Sequence, residues 1–125
     1  MRIIIETIQH EDQRYPTVGD YWVDADGTKH IVVSDMQNDN YAFLVALHEL
    51  VEQKLCEHRG ISEESITRFD EDYEDLREDD DVSEPGDDLE APYRNEHNFA
   101  TGIERLMCAE LGIPWKVYSD TVENL

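Results

Sequence analysis

The chain has 125 residues, with 31 Asp and Glu against 10 Lys and Arg, and a formal net charge of −21. This length predicts a single domain over residues 1–125, and a hydrophobic content of 39% is enough for a small core. The charge argues against direct binding of nucleic acid or of an anionic membrane surface, because both require basic residues on the protein.

The cellular compartment is predicted from three features of the chain. No apolar run approaches the roughly 20 residues that a membrane helix needs. The segment 1–6 becomes charged too early for a signal peptide. The two cysteines, Cys56 and Cys108, are too few for a disulfide framework. Together these features predict a cytoplasmic protein.

The first third of the chain predicts three β-strands. Residues 2–8 are rich in isoleucine, and residues 20–23 and 30–33 are two further β-rich runs. Asp26-Gly27 predicts a tight turn between the second and third strands, because glycine adopts positive φ without a Cβ clash. We expect the three strands to form an antiparallel sheet.

The remainder of the chain predicts helices. Hydrophobic periodicity predicts a long helix over 41–59, a shorter helix after Ser62 and a final helix over 94–111. Residues 115–118 are expected to form a short tail on the body. Strands followed by helices indicate an α+β fold, with a three-stranded antiparallel sheet and two main helices packed on it.

The excess negative charge is concentrated between these two main helices, in an insert over about 61–92. Residues 63–90 contain fifteen acidic and two basic side chains, and so carry thirteen of the twenty-one excess charges. The simplest interpretation is a helix and loop exposed to solvent. The alternative is an acidic surface that binds a basic protein partner.

The helix over 41–59 has an unusual pair of side chains in its apolar stripe. His48 and Glu52 are four residues apart, and a helical wheel puts them about 40° from each other. Glu49 falls at the edge of the stripe, at about 100°. A carboxylate is seldom buried without a partner. The pair is therefore expected to share a hydrogen bond or to bind a metal ion, unless it lies on the surface.

The final helix repeats this pattern. His97 and Glu104 lie two turns apart at the border of its apolar face. If the two helices pack face to face, His48, Glu52 and His97 converge, with Glu104 as a fourth candidate. Histidine and glutamate ligands suit zinc, or another divalent transition metal such as iron, nickel or manganese. A hydrogen-bonded network without metal is the alternative.

The segment His48-Glu49-Leu50-Val51-Glu52 resembles the His-Glu-x-x-His helix of zincin-like zinc peptidases, with glutamate in place of the second histidine. The segment 91–97 is similar to small phage and prophage proteins of unassigned or metallopeptidase-like function. The resemblance implies a minimal zincin-like fold, with His48 and Glu52 as metal ligands, Glu49 as general base and His97 as third ligand.

Three hypotheses about function follow. Three protein ligands would leave a position for water, and the protein would be a zinc-dependent hydrolase acting on a peptide substrate. If Glu104 also ligates, the position closes and the metal is structural and non-catalytic. The third hypothesis is an acidic interaction protein that binds a basic partner through residues 79–90. The sequence makes no prediction of oligomeric state.

Overall fold

The computed structural model describes residues 1–125 and has an α+β fold with a mixed three-stranded sheet. The strands are β1 (Ile3–Ile8), β2 (Gly19–Val23) and β3 (Lys29–Ser34), in the spatial order β1-β3-β2. β2 pairs antiparallel with β3, as predicted, whereas β1 pairs parallel with β3. The prediction of a purely antiparallel sheet is therefore wrong for β1.

The segment between β1 and β2 explains the parallel pairing. It contains a 3-10 turn at His10–Asp12 and passes the carboxyl end of β3. There His10 Nδ1 lies 2.8 Å from Ser34 Oγ, and Gln13 Nε2 donates to the same hydroxyl at 3.1 Å. The chain thus leaves β1 and enters β2 at the same end of the sheet. Because β3 lies between them, β1 and β2 never pair.

The turn between β2 and β3 forms where it was predicted. Gly27 has a φ of 87°, in the left-handed region that favours glycine. The Asp24 carboxylate accepts a hydrogen bond from the backbone N–H of Thr28 at 3.1 Å. Both interactions lie within the turn itself.

Four helices follow the sheet: α1 (Asp39–His58), α2 (Glu63–Asp75), α3 (Arg94–Glu110) and α4 (Trp115–Glu123). α1 is capped by the Asn38 side chain, which accepts from the backbone N–H of Tyr41, and the chain turns away at Gly60 with a φ of 73°. The prediction of a short tail at residues 115–118 is wrong, because these residues begin the nine-residue helix α4.

α1 lies between the sheet and α3, since it packs on β2 and β3 on one side and on α3 on the other. The buried core includes Ile31 and Val33 from β3 and Leu44 and Val45 from α1. Both cysteines are free, and both are buried. No helix combines the length and apolar character required to cross a membrane.

The acidic insert is partly integrated into the fold. Ile66 and Asp70 on α2 are each only 6% exposed, although their neighbours on the outer side of the helix face solvent. The loop after α2 contains a second 3-10 turn at Pro85–Asp87, in which Gly86 is buried. The insert is therefore not simply a solvated loop.

Candidate metal centre

The two helices α1 and α3 bring the predicted side chains together in the interior. His48 and Glu52 lie one turn apart on α1, and His97 lies in the first turn of α3. All three are less than 8% exposed. The helical spacing in the sequence thus identified the correct faces of both helices, and the predicted convergence is found.

Three donor atoms meet at one point between the helices. Glu52 Oε2 lies 3.0 Å from His48 Nε2 and 2.9 Å from His97 Nδ1, and the two nitrogens are 3.2 Å apart. Zinc binds its nitrogen and oxygen ligands at about 2.0–2.1 Å. If the angle between two ligands at the ion is about 90–110°, the two ligand atoms lie about 2.9–3.4 Å apart. The three donors therefore have the spacing that a single divalent ion requires.

His48 and Glu52 each have a second polar atom that faces away from this point, and in both residues that atom contacts another side chain. His48 Nδ1 lies 2.8 Å from Glu104 Oε1, and Glu104 Oε2 accepts a hydrogen bond from the Tyr118 hydroxyl. Glu52 Oε1 accepts from the Tyr21 hydroxyl at 3.0 Å. Carboxylates and hydroxyls behind the ligands are a regular feature of protein metal sites, where they fix tautomer and orientation.

Glu104 does not reach the convergence point in this arrangement. It contacts the opposite nitrogen of the His48 ring, so the structure makes it a partner of a donor residue rather than a fourth donor. With Nδ1–H donating to Glu104, a neutral His48 presents the lone pair of Nε2 to Glu52 and His97. In that tautomer the Nε2 lone pair and the Glu52 oxygen, 3.0 Å apart, repel each other unless the positive charge of a proton or a metal ion lies between them.

The electrostatics favour retention of that positive charge. Burial by itself would lower the pKa of His97, but the carboxylates of Glu52 and Glu84 on either side of its ring outweigh it and raise the pKa to about 10. Burial would likewise raise the pKa of Glu52, yet His48 and His97 lower it to about 2. Without a metal, the cluster is a protonated hydrogen-bond network of opposite charges, the alternative that the sequence left open.

Glu49 has a different environment from Glu52. It is half-buried, lines the same cleft as the three donor residues and makes no hydrogen bond within the protein. Burial and the charge of Glu52 raise its pKa. A Cβ atom on Gly19 would lie 2.8 Å from Glu49 Oε1, so the glycine makes room for this side chain. Glu49 is thus free to interact with a bound molecule.

The cleft in front of these residues has a volume of about 330 Å³ and lies between the body and the acidic insert. Ten acidic residues line it and Arg77 is the one arginine among its walls, which contain no lysine. Val45 and Ile66 contribute apolar surface. The cleft is therefore shaped by the insert, and its potential is strongly negative.

Several residues at the site could not be recognised in the sequence. Asp70 accepts hydrogen bonds from the hydroxyls of Tyr15 and Tyr93, which anchors α2 beside the cleft, and burial raises its pKa to about 6. Tyr21 and Tyr118 donate to the carboxylates behind the metal-ligand candidates. Nothing in the local pattern distinguishes these tyrosines from ordinary core residues.

Comparison with protein-family models, curated proteins and solved structures gives no match for this chain.

Proposed function

We propose that the protein is a divalent-metal-dependent hydrolase that uses His48, Glu52 and His97 as ligands. One observation carries this proposal: three buried donor atoms lie 2.9–3.2 Å from one another at a single point. The donor set of two imidazoles and one carboxylate is the one found in many catalytic zinc sites. Zinc is therefore the proposed metal.

The cleft beside the donors supports a catalytic role. Three protein ligands leave a coordination position open, and an ion there would polarise a substrate carbonyl and lower the pKa of a water ligand. Glu49 is the group that accepts the proton from the attacking water, because it lines the cleft and has no partner within the protein. A positive ion beside it opposes the effect of the Glu52 charge and favours its ionised form.

We propose a peptide as the substrate, in agreement with the zincin-like helix motif at residues 48–52. The acidic walls of the cleft favour a peptide that carries lysine or arginine. Cleavage of such peptides should weaken as salt concentration rises, because screening reduces the attraction between exposed charges.

The experiment that tests this function combines metal analysis with hydrolysis assays. Protein purified without a His-tag should contain zinc and should cleave at least one member of a panel of basic peptides. The Glu49→Gln variant should retain the metal and lose cleavage by at least 100-fold, as is usual when a general base is removed. Glu52→Gln should lose metal and cleavage together, and Glu110→Gln on the surface should lose neither. A metal-loaded protein that is inert toward every peptide would refute the catalytic proposal.

A metal of purely structural function is the second candidate. It is favoured by the position of the donors, since His97 on α3 meets His48 and Glu52 on α1, and these two helices pack on each other. An ion there would join the helices in the way that structural zinc stabilises small domains. In that case Glu49→Gln would leave both metal content and stability unchanged, and no peptide would be cleaved.

A further inference from the structure

The outer side of the His97 ring faces a second group of acidic side chains. His97 Nε2 points away from Glu52, is buried and has no hydrogen-bond partner. Glu84 Oε2 lies 2.9 Å from this nitrogen and Asp87 Oδ1 lies 3.4 Å from it. Neither carboxylate is aligned to accept a hydrogen bond from the ring. The nitrogen is thus shielded from water and lies within ion-pair distance of two carboxylates, without a hydrogen bond to either.

The segment that supplies these carboxylates is shaped to fit the ring. Residues Pro85–Asp87 form a 3-10 turn, in which Asp87 N–H donates to Glu84 O at 3.1 Å. A Cβ atom on Gly86 would lie 2.4–2.8 Å from ring atoms of His97, closer than any side chain can approach. Only glycine permits this contact, which brings Glu84 and Asp87 to the same edge of the imidazole.

We propose that Glu84, Asp87 and His97 Nε2 form a second divalent-cation site, which shares His97 with the inner centre. The inference rests on the proposed inner metal centre. The nitrogen–oxygen separations of 2.9 and 3.4 Å match two ligands on one ion, for which about 2.9–3.4 Å is expected. The carboxylates are about half exposed, at 48% and 58%, so water completes the coordination. Two carboxylates and one imidazole suit zinc or manganese.

Occupation of both sites has a defined proton balance. The metal-free His97 ring is protonated and has two N–H groups, so binding of the inner ion at Nδ1 releases the first proton to the solvent. When the outer ion binds at Nε2, the second N–H proton also passes to the solvent, so two protons are released for the two ions. His97 then bridges the two ions as an imidazolate, and no oxidant or other reactant is consumed.

The stoichiometry of zinc binding tests the outer site. The protein is dialysed against buffered free zinc with millimolar magnesium, which occupies weak carboxylate sites. We expect two zinc ions per chain for the natural protein and one for Glu84→Gln/Asp87→Asn. The matched control is Asp79→Asn/Asp80→Asn, which removes two exposed charges from the same insert and should retain two ions.

Each other outcome separates this inference from the proposed function. One zinc ion in both the natural protein and Glu84→Gln/Asp87→Asn would leave the inner centre intact and overturn the outer site, with Glu84 and Asp87 serving only as ionic partners of the ring. Two zinc ions in both the natural protein and Glu84→Gln/Asp87→Asn would mean that the second ion binds elsewhere, which would also overturn the outer site. If neither the natural protein nor either double variant binds zinc, the inner metal centre and the outer site are both overturned.

The bridge itself has a spectroscopic signature. Protein loaded with two Cu²⁺ ions should show magnetic coupling through the imidazolate, seen as loss of most of the ordinary copper EPR intensity. Glu84→Gln/Asp87→Asn should recover the full signal of an isolated ion. Two Cu²⁺ ions with the intensity of two uncoupled centres would refute a shared His97.

Discussion

The Glu104 carboxylate tests whether the cluster is organised around a metal. Replacement by glutamine preserves the length of the side chain, and its amide oxygen still accepts from His48 Nδ1. What is lost is the negative charge 2.8 Å from that nitrogen. Because Glu104 is 9% exposed and its partner Tyr118 is 1% exposed, water has little access to replace the missing interaction.

The expected magnitude follows from the type of hydrogen bond. A bond to an ionised acceptor is roughly twice as strong as a neutral one. Removal of a carboxylate behind a metal-bound histidine typically weakens metal binding by 10- to 100-fold, or about 1.4–2.7 kcal/mol. We therefore expect Glu104→Gln to bind zinc 10- to 100-fold more weakly than the natural protein.

Competition with a chromophoric chelator measures the zinc affinity of each variant. Glu110→Gln is the control, because it removes an exposed charge six residues further along α3 and should bind zinc like the natural protein. The visible absorption of the Co²⁺-loaded protein reports coordination number at the same time. It should be nearly unchanged in Glu104→Gln, since the residue contacts a ligand rather than the ion.

Two results would refute the reasoning. A zinc affinity within twofold of the natural protein would mean that the charge on Glu104 does not support His48. A Co²⁺ spectrum with a changed coordination number would mean that Glu104 is itself a ligand. The second result would restore the closed, four-ligand site that the sequence left open.

Three further predictions concern stability. Free zinc at 100 times its Kd should stabilise the protein by about 2.7 kcal/mol and raise the Tm by roughly 10 °C, an effect that a chelator reverses; an unchanged melt contradicts the metal centre. Gly86→Ala should destabilise the protein by roughly 1–3 kcal/mol in chemical denaturation, because its Cβ would meet the His97 ring. Its control, Gly102→Ala, has open space around the new methyl group in a helix interior and should be neutral or stabilising. Burial raises the pKa of Asp70 to about 6, so the folded state binds this proton more tightly than the unfolded chain does. The free energy of unfolding therefore falls by up to about 3 kcal/mol as the pH rises from roughly 4 to 6. Asp70→Asn should lack this decline in pH-dependent denaturation and the exposed Asp72→Asn should keep it, whereas identical profiles would contradict the assignment.

Much of the candidate site could be predicted from the sequence because it depends on helical periodicity. The spacing of His48 and Glu52 is set by 3.6 residues per turn, which fixes their relative direction before any tertiary contact forms. The apolar stripes indicated which faces of α1 and α3 would meet. The turn at Asp26-Gly27 was also predictable, because the positive φ that glycine adopts there is a local property of the chain.

Contacts between segments distant in the sequence could not be predicted in this way. The parallel pairing of β1 depends on a connection that crosses the end of β3, and the strand sequences fit either direction. The role of Glu104 depends on which nitrogen of His48 it meets, a matter of side-chain direction across two helices. Helical spacing placed it near the site but did not distinguish a ligand from a partner of a ligand.

The acidic insert shows most clearly how the two levels of information differ. The sequence by itself determined its charge and an amphipathic helix within it, because composition and periodicity are local properties. The tertiary structure decided that Asp70 is buried against two tyrosines and that Glu84 and Asp87 face His97. The physical reason is that burial depends on which surfaces meet when the chain closes. A carboxylate exposed along one helix is indistinguishable in sequence from one that another segment covers.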